Sequence, residues 1–192
     1  MITIAKRVKS AIDHWEKGEI ELALTDACIA VDATSIRYYQ LPKSSWKEYQ
    51  RFLKEFMWLI TYSGLPGLMS QNVEIPRGKL SLPGVIGDTV SVEQLIYYVL
   101  RCDLVHGNSI DSNLVFSNHV TLGNDGDKLL ISSNIVWGIL HSVIFNPANA
   151  NEKIGEEFYW TSITDFKMFI DDYWGKIHIP KKIIQFYTGV VV

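Results

Sequence analysis

Cysteine is scarce in this sequence, neither sign of charge dominates, and no apolar run is long. Two cysteines in 192 residues, Cys28 and Cys102, exclude a disulfide-stapled scaffold. Each lies in an apolar run that reads as helix, where a thiol behaves as a small buried hydrophobe, and this usage fits a reduced, intracellular setting. Lys and Arg total 18 against 21 Asp and Glu, a formal net charge of -3. That balance excludes a protein that grips nucleic acid over a broad basic face, because such binding needs many phosphate contacts. Any RNA contact has to be local, and the local sources are Lys6, Arg7 and Lys9, the stretch from Lys43 to Lys54, Arg77 with Lys79, and Lys181 with Lys182. The longest apolar stretch, from Ile135 to Phe145, holds His141 and Ser142 and falls short of the roughly 20 residues that span a bilayer. The first residues, MITIAKRVKS, carry no apolar signal core, so the expectation is a cytoplasmic protein with no membrane segment.

What is present is a globular composition, 47% hydrophobic and 12% aromatic, with 20% charged residues. A chain of this length fits one domain, 1–192, and buries roughly 70% of its unfolded surface without a staple. Ile4, Val8, Ala11, Ile12 and Trp15 recur at helical spacing up to Gly18. A second helix runs from about Glu19 to Tyr39, with Ala23, Ala27, Ala30 and Thr34 on a narrow stripe that lets another helix come close. Pro42 breaks the chain, and Trp46, Tyr49, Phe52, Leu53, Phe56 and Ile60 carry a third helix to about Tyr62. Proline and glycine punctuate Gly64 to Gly87, which reads as a long loop. Ser91 and Gln94 have the spacing of a capping box and open a fourth helix that stops at Gly107. Two β-favouring runs flank Gly123 to Gly126 and predict a small hairpin at about 114–132. Ser132 to Phe145 and Thr161 to Trp174 read as helices, and the tail from Ile177 reads as extended.

The segment that rises above packing is YYVLRCDLVHGN, residues 97–108, where Arg101 is followed five residues later by His106 near a helix end. This pattern resembles the signature of the HEPN superfamily, and ACIAVDATSIRYY in the second helix resembles the alanine-rich helix with an acidic residue that its members carry. The resemblance covers about two thirds of the chain, and the Arg and His motif is its specific part. It implies a mainly α fold, an antiparallel helical bundle with the small β-hairpin inserted. It also implies a homodimer with a composite active site, and a metal-independent endoribonuclease without cofactor, in a defence or toxin setting with an antitoxin or regulatory partner.

The residue types suit that chemistry. Histidine moves protons near neutrality, and the fixed donors of arginine match a phosphate. His106 is expected to take the proton of a ribose 2′-OH or to protonate the leaving 5′-oxygen, with Arg101 stabilising charge on the phosphate, and the product is a 2′,3′-cyclic phosphate. Residues five apart on an α-helix sit about 140° from each other about the axis, so the pair converges only if the helix ends between them or a second copy completes the site. Asp103, Asn108, Asp32 and Tyr98 are the supporting candidates. Asp32 lies in an apolar run where an unpaired carboxylate is costly, and Arg101 is one candidate partner; Asp26 is the rival acid, and for either a structural role competes evenly with a functional one. The same Arg and His also complement a helix dipole, which is the purely structural reading. The position after Arg101, often polar or charged in HEPN proteins, is Cys102 here. With the acidic net charge, it favours the alternative of a non-catalytic HEPN-like module that binds a nucleotide or a partner protein. His106, His119 and His141 have no recognised metal-ligand spacing, so no metal site is expected.

Overall fold

The computed structural model describes residues 3–65, 69–70, 72–80, 87–103, 111–161 and 167–192, with Val99 and Asp103 described in backbone only. Helix α1 (Ile4–Glu16) is capped by the Thr3 side chain, which accepts from the Lys6 amide, and it buries Ile4, Ala5, Val8, Ala11 and Ile12. Helix α2 (Ile20–Tyr38) buries its small-residue stripe completely: Ala23, Ala27, Ala30 and Thr34 have no exposed surface. It lies against α1, against α3 (Trp46–Gly64) and against α5 (Ile135–Ile144), the central position its sequence predicts. Thr34 fits this apolar interior because its hydroxyl donates back to the Ala30 carbonyl at 2.7 Å and accepts from the Asn149 amide at 3.0 Å.

Helices α3 and α5 cross at glycines. A Cβ on Gly138 would stand 2.2 Å from the Ile60 carbonyl oxygen, and one on Gly64 would stand 2.9 Å from the Ile135 Cα. Backbone meets backbone there, which no larger residue allows.

The segment that carries Arg101 starts as predicted. Ser91 accepts from the Gln94 amide while the Gln94 side chain accepts from the Ser91 amide, a complete capping box. Helix α4 (Val92–Leu95) then passes directly into a π-helix, Ile96–Asp103, where the sequence had predicted ordinary helix. The predicted stop at Gly107 lies outside the described residues.

Among the described residues three small sheets accompany the helices. Strands β1 (Glu74–Pro76) and β2 (Thr89–Ser91) pair antiparallel, Ile75 opposite Val90, and β1 falls within the stretch read as loop. Strands β4 (Leu122–Asp125) and β5 (Lys128–Ser132) form the predicted hairpin, turning through Gly126 at φ 59°. Strand β3 (Leu114–Ser117) adds to it, parallel to β5 on its other edge.

Two readings are corrected. The helix predicted from Thr161 to Trp174 is instead an antiparallel pair, β6 (Tyr159–Thr161) with β7 (Lys167–Phe169), followed by a single 3₁₀ turn, Ile170–Asp172. The tail read as extended is helix α6 (His178–Thr188), closed by Gly189 in the left-handed conformation at φ 72°. Its β-branched residues drew the extended reading, and Pro180 sits in the first turn, where no backbone donor is lost.

The chain is therefore mainly helical, with three small sheets among the described residues. One apolar cluster runs from Ile4 to Trp174, and a satellite of Trp58, Leu59, Phe145 and Ile184 seats α6. No described helix is long and apolar enough to cross a membrane.

Candidate functional site

Arg101 sits on the last turn of the π-helix, where α2 comes alongside. Its guanidinium faces Asp32 of α2 at 3.7 Å, and both side chains keep about a quarter of their surface exposed, 24% and 27%. The Tyr97 ring lies under the guanidinium, 5.7 Å from its centroid. Burial draws the Arg101 pKa down, but the Asp32 carboxylate and the Cys102 thiol outweigh it, so the group is held above its ordinary value. It is a permanent cation.

Asp32 is tied from a second side. The Ser44 hydroxyl donates to its Oδ1, and Ser44 precedes α3 by two residues, so the carboxylate links α2, the π-helix and the start of α3. The acid predicted to need a partner has two. Asp26, the rival acid, belongs elsewhere: Arg7 donates to it at 2.5 Å and His14 lies 3.8 Å away.

Under this cluster the packing is aromatic. Tyr97 contacts Tyr49 at 5.5 Å and Tyr98 at 5.0 Å between ring centroids. Tyr98 is half-buried and packs on the core, as does Tyr97. Tyr49 is buried and its hydroxyl reaches the Cys28 carbonyl at 3.5 Å. Burial pushes the Cys28 thiol up to about 12, so it is neither nucleophile nor ligand at neutral pH. Cys102, half-buried, lies beside Tyr97 and Arg101.

His106 and Asn108 lie outside the described residues, as does the side chain of Asp103. Of the predicted set, the structure brings together Arg101 and Asp32, with Tyr98 next to Tyr97. Of the other histidines, His119 is exposed on the β3–β4 connection, and His141 is half-buried, its ring packed against Trp137, Phe145 and Trp160. Among the described residues no group of three His, Cys, Asp or Glu side chains could hold a metal ion.

A larger feature was missed in the sequence. A cavity of about 880 Å³ opens between the first half of α3 and the β2–α4 junction, with Trp46, Lys47, Gln50, Arg51, Lys54 and Glu93 in its walls. Its signal was the basic stretch from Lys43 to Lys54. The opposite wall comes from residues some forty positions along the chain, and no local pattern announces that pairing.

Fold and site together define a mainly helical protein with an arginine held between a carboxylate and a tyrosine on a π-helical segment. The chain belongs to the Rv1289 family, whose model matches residues 3–192. Uncharacterized protein Rv1289 of Mycobacterium tuberculosis and uncharacterized protein Mb1320 of Mycobacterium bovis are each 24% identical to it over 184 residues, covering 91% of this chain and 84% of theirs. No solved structure matches the chain significantly.

Proposed function

We propose that this protein is a metal-independent endoribonuclease of the HEPN type, with Arg101 and His106 as its catalytic pair. The observation that carries the reading is the setting of Arg101: a permanent cation, oriented by Asp32 and Tyr97 yet still open to solvent, with a single long ion pair among the described residues. A guanidinium has five donors, and one carboxylate at 3.7 Å leaves most of them for a phosphate.

His106 takes the proton from the ribose 2′-OH or gives one to the leaving 5′-oxygen, and two-fold pairing of copies supplies both roles at once. The 2′-oxygen bonds to phosphorus, the bond from phosphorus to the 5′-oxygen breaks, and a 2′,3′-cyclic phosphate and a 5′-hydroxyl remain. Arg101 neutralises the charge that builds on the phosphoryl oxygens. The nucleophile belongs to the substrate, so the route spares DNA. A defence or toxin setting, with a restraining partner, accompanies this reading.

A second reading has its own observation. The Arg101–Asp32 pair neutralises the cation in place, as a non-catalytic nucleotide- or protein-binding module would also do.

The test is incubation of labelled RNA and matched DNA in EDTA with the wild type, Arg101→Ala and His106→Ala, with analysis of product ends. RNA-only cleavage to cyclic phosphates is expected, falling by at least about 10²-fold in each variant. A folded protein that leaves diverse RNAs intact would move the assignment to the binding module.

A further inference from the structure

The cavity beside α3 joins four features that a folded core does not require. Lys47, Arg51 and Lys54 stand at i, i+4 and i+7, one face of α3, and among the described residues none of the three makes a salt bridge, although Lys47 lies 5.6 Å over the Trp46 ring and Arg51 4.6 Å over that of Tyr39, contacts a ligand would have to share or displace. Arg7, Lys9 and Lys79, three other basic side chains singled out in the sequence, are paired, to Asp26, Glu157 and Asp127, whereas Lys6, Lys181 and Lys182 also make no salt bridge among the described residues. Trp46, on the first turn of the same helix, keeps 50% of its surface exposed. Finally, the Gln50 amide nitrogen and one Glu93 carboxylate oxygen are shut off from solvent without a hydrogen-bond partner among the described residues. One is a donor without an acceptor, the other an acceptor able to take a donor, and both residues line the same cavity.

Such orphaned groups are costly to leave unmatched. Their terminal torsions are soft, so a small rotation turns both toward the cavity. A planar ligand that offers an acceptor and a donor on one edge satisfies both, and every nucleobase has such an edge. A simple anion does not fit, because Glu93 and the two other carboxylates that line the cavity, Glu55 and Glu74, would repel it.

We infer that this groove holds single-stranded RNA, with one base stacked on Trp46 and its edge read by Gln50 and Glu93, and with the adjoining phosphates on Lys47, Arg51 and Lys54. The inference rests on the ribonuclease reading and gives it a substrate-gripping surface. Trp46 lies two residues beyond Ser44, whose hydroxyl holds Asp32 against Arg101. Two residues span at most about 7 Å of chain, so a strand leaving the groove reaches Arg101 within a few nucleotides. A local grip also agrees with the net charge of -3.

Fluorescence anisotropy with short single-stranded RNAs of each base tests it, using the His106→Ala protein so that the RNA survives. Adding Trp46→Ala should weaken binding by about five- to hundredfold, the range of a lost base–aromatic stack. Adding Lys47→Ala and Lys54→Ala together should lower the slope of log affinity against log salt by about 1.4, close to 0.7 per single-strand phosphate contact. Glu93→Gln should change the order of preference among the four bases. All these side chains lie at the surface or half-buried, and unchanged thermal melts would show that the fold is kept. Affinity, salt slope and base preference that match the His106→Ala parent would overturn the groove, even if the wild type cuts RNA. RNA that binds with the expected losses but is never cut by the wild type would keep the groove and overturn the ribonuclease reading.

Discussion

His141 has no hydrogen-bond partner for its Nε2 among the described residues, and aromatic rings close around it. Burial alone pushes its pKa down to about 4 from 6.5, so the folded protein holds the neutral ring. Between those values the unfolded chain binds a proton that the folded chain refuses. Stability is therefore greatest above pH 6.5 and falls as the pH drops toward 4, by at most about 3 kcal/mol, less to the extent that the half-buried ring is reached by solvent. Urea unfolding across this range should show the decline, and His141→Phe, which keeps a ring in the aromatic nest, should flatten the part that His141 contributes. An unchanged slope in the variant would assign the decline to other groups. At this scale the sequence was readable where chemistry was costly: Asp32, a carboxylate in an apolar run, had to have partners, and it has Arg101 and Ser44. It was silent on Gln50 and Glu93, ordinary polar residues that matter only through the cavity they share.

Among the elements, the α3–α5 crossing is the most exacting. Gly138→Ala brings a gain of about 1 kcal/mol in helix propensity, but its Cβ would meet a backbone oxygen at 2.2 Å, and backbone cannot rotate away. Overpacking wins, costing about 2–3 kcal/mol net, and a drop of about 5–10 °C in melting temperature is the expected result. A melting temperature at or above that of the wild type would mean that the helices part without cost. Elements with one strong period were legible, as in α1, α2 and α3, whose starts and ends fall within two residues of the predicted ones. Where two periods competed, the choice went wrong. In KMF, Met168 is half-buried between exposed Lys167 and Phe169, a strand alternation that the surrounding aromatics disguised as a helix. The π register was not legible, because α- and π-helices share residue preferences and differ in which carbonyl each amide finds.

Across the whole molecule, one apolar cluster joins residues from α1 through the 3₁₀ turn after β7. A continuous core predicts a single cooperative transition, with far-ultraviolet circular dichroism and tryptophan fluorescence giving the same midpoint in denaturant. Two separated midpoints would divide the chain into independent units. The mainly helical class was visible from the sequence, while two of the three sheets were not, since strands of three residues leave too short a pattern to distinguish from turns. Cys28 makes this cooperativity observable from inside. Its thiol lies sealed between α2 and Tyr49 of α3, so in a Cys102→Ser protein an alkylating reagent reaches it only when the core opens. Its labelling rate is then a clock for that opening. A ligand held between α3 and α4 should slow the clock in proportion to its occupancy, so that its binding is reported by a residue that never touches it.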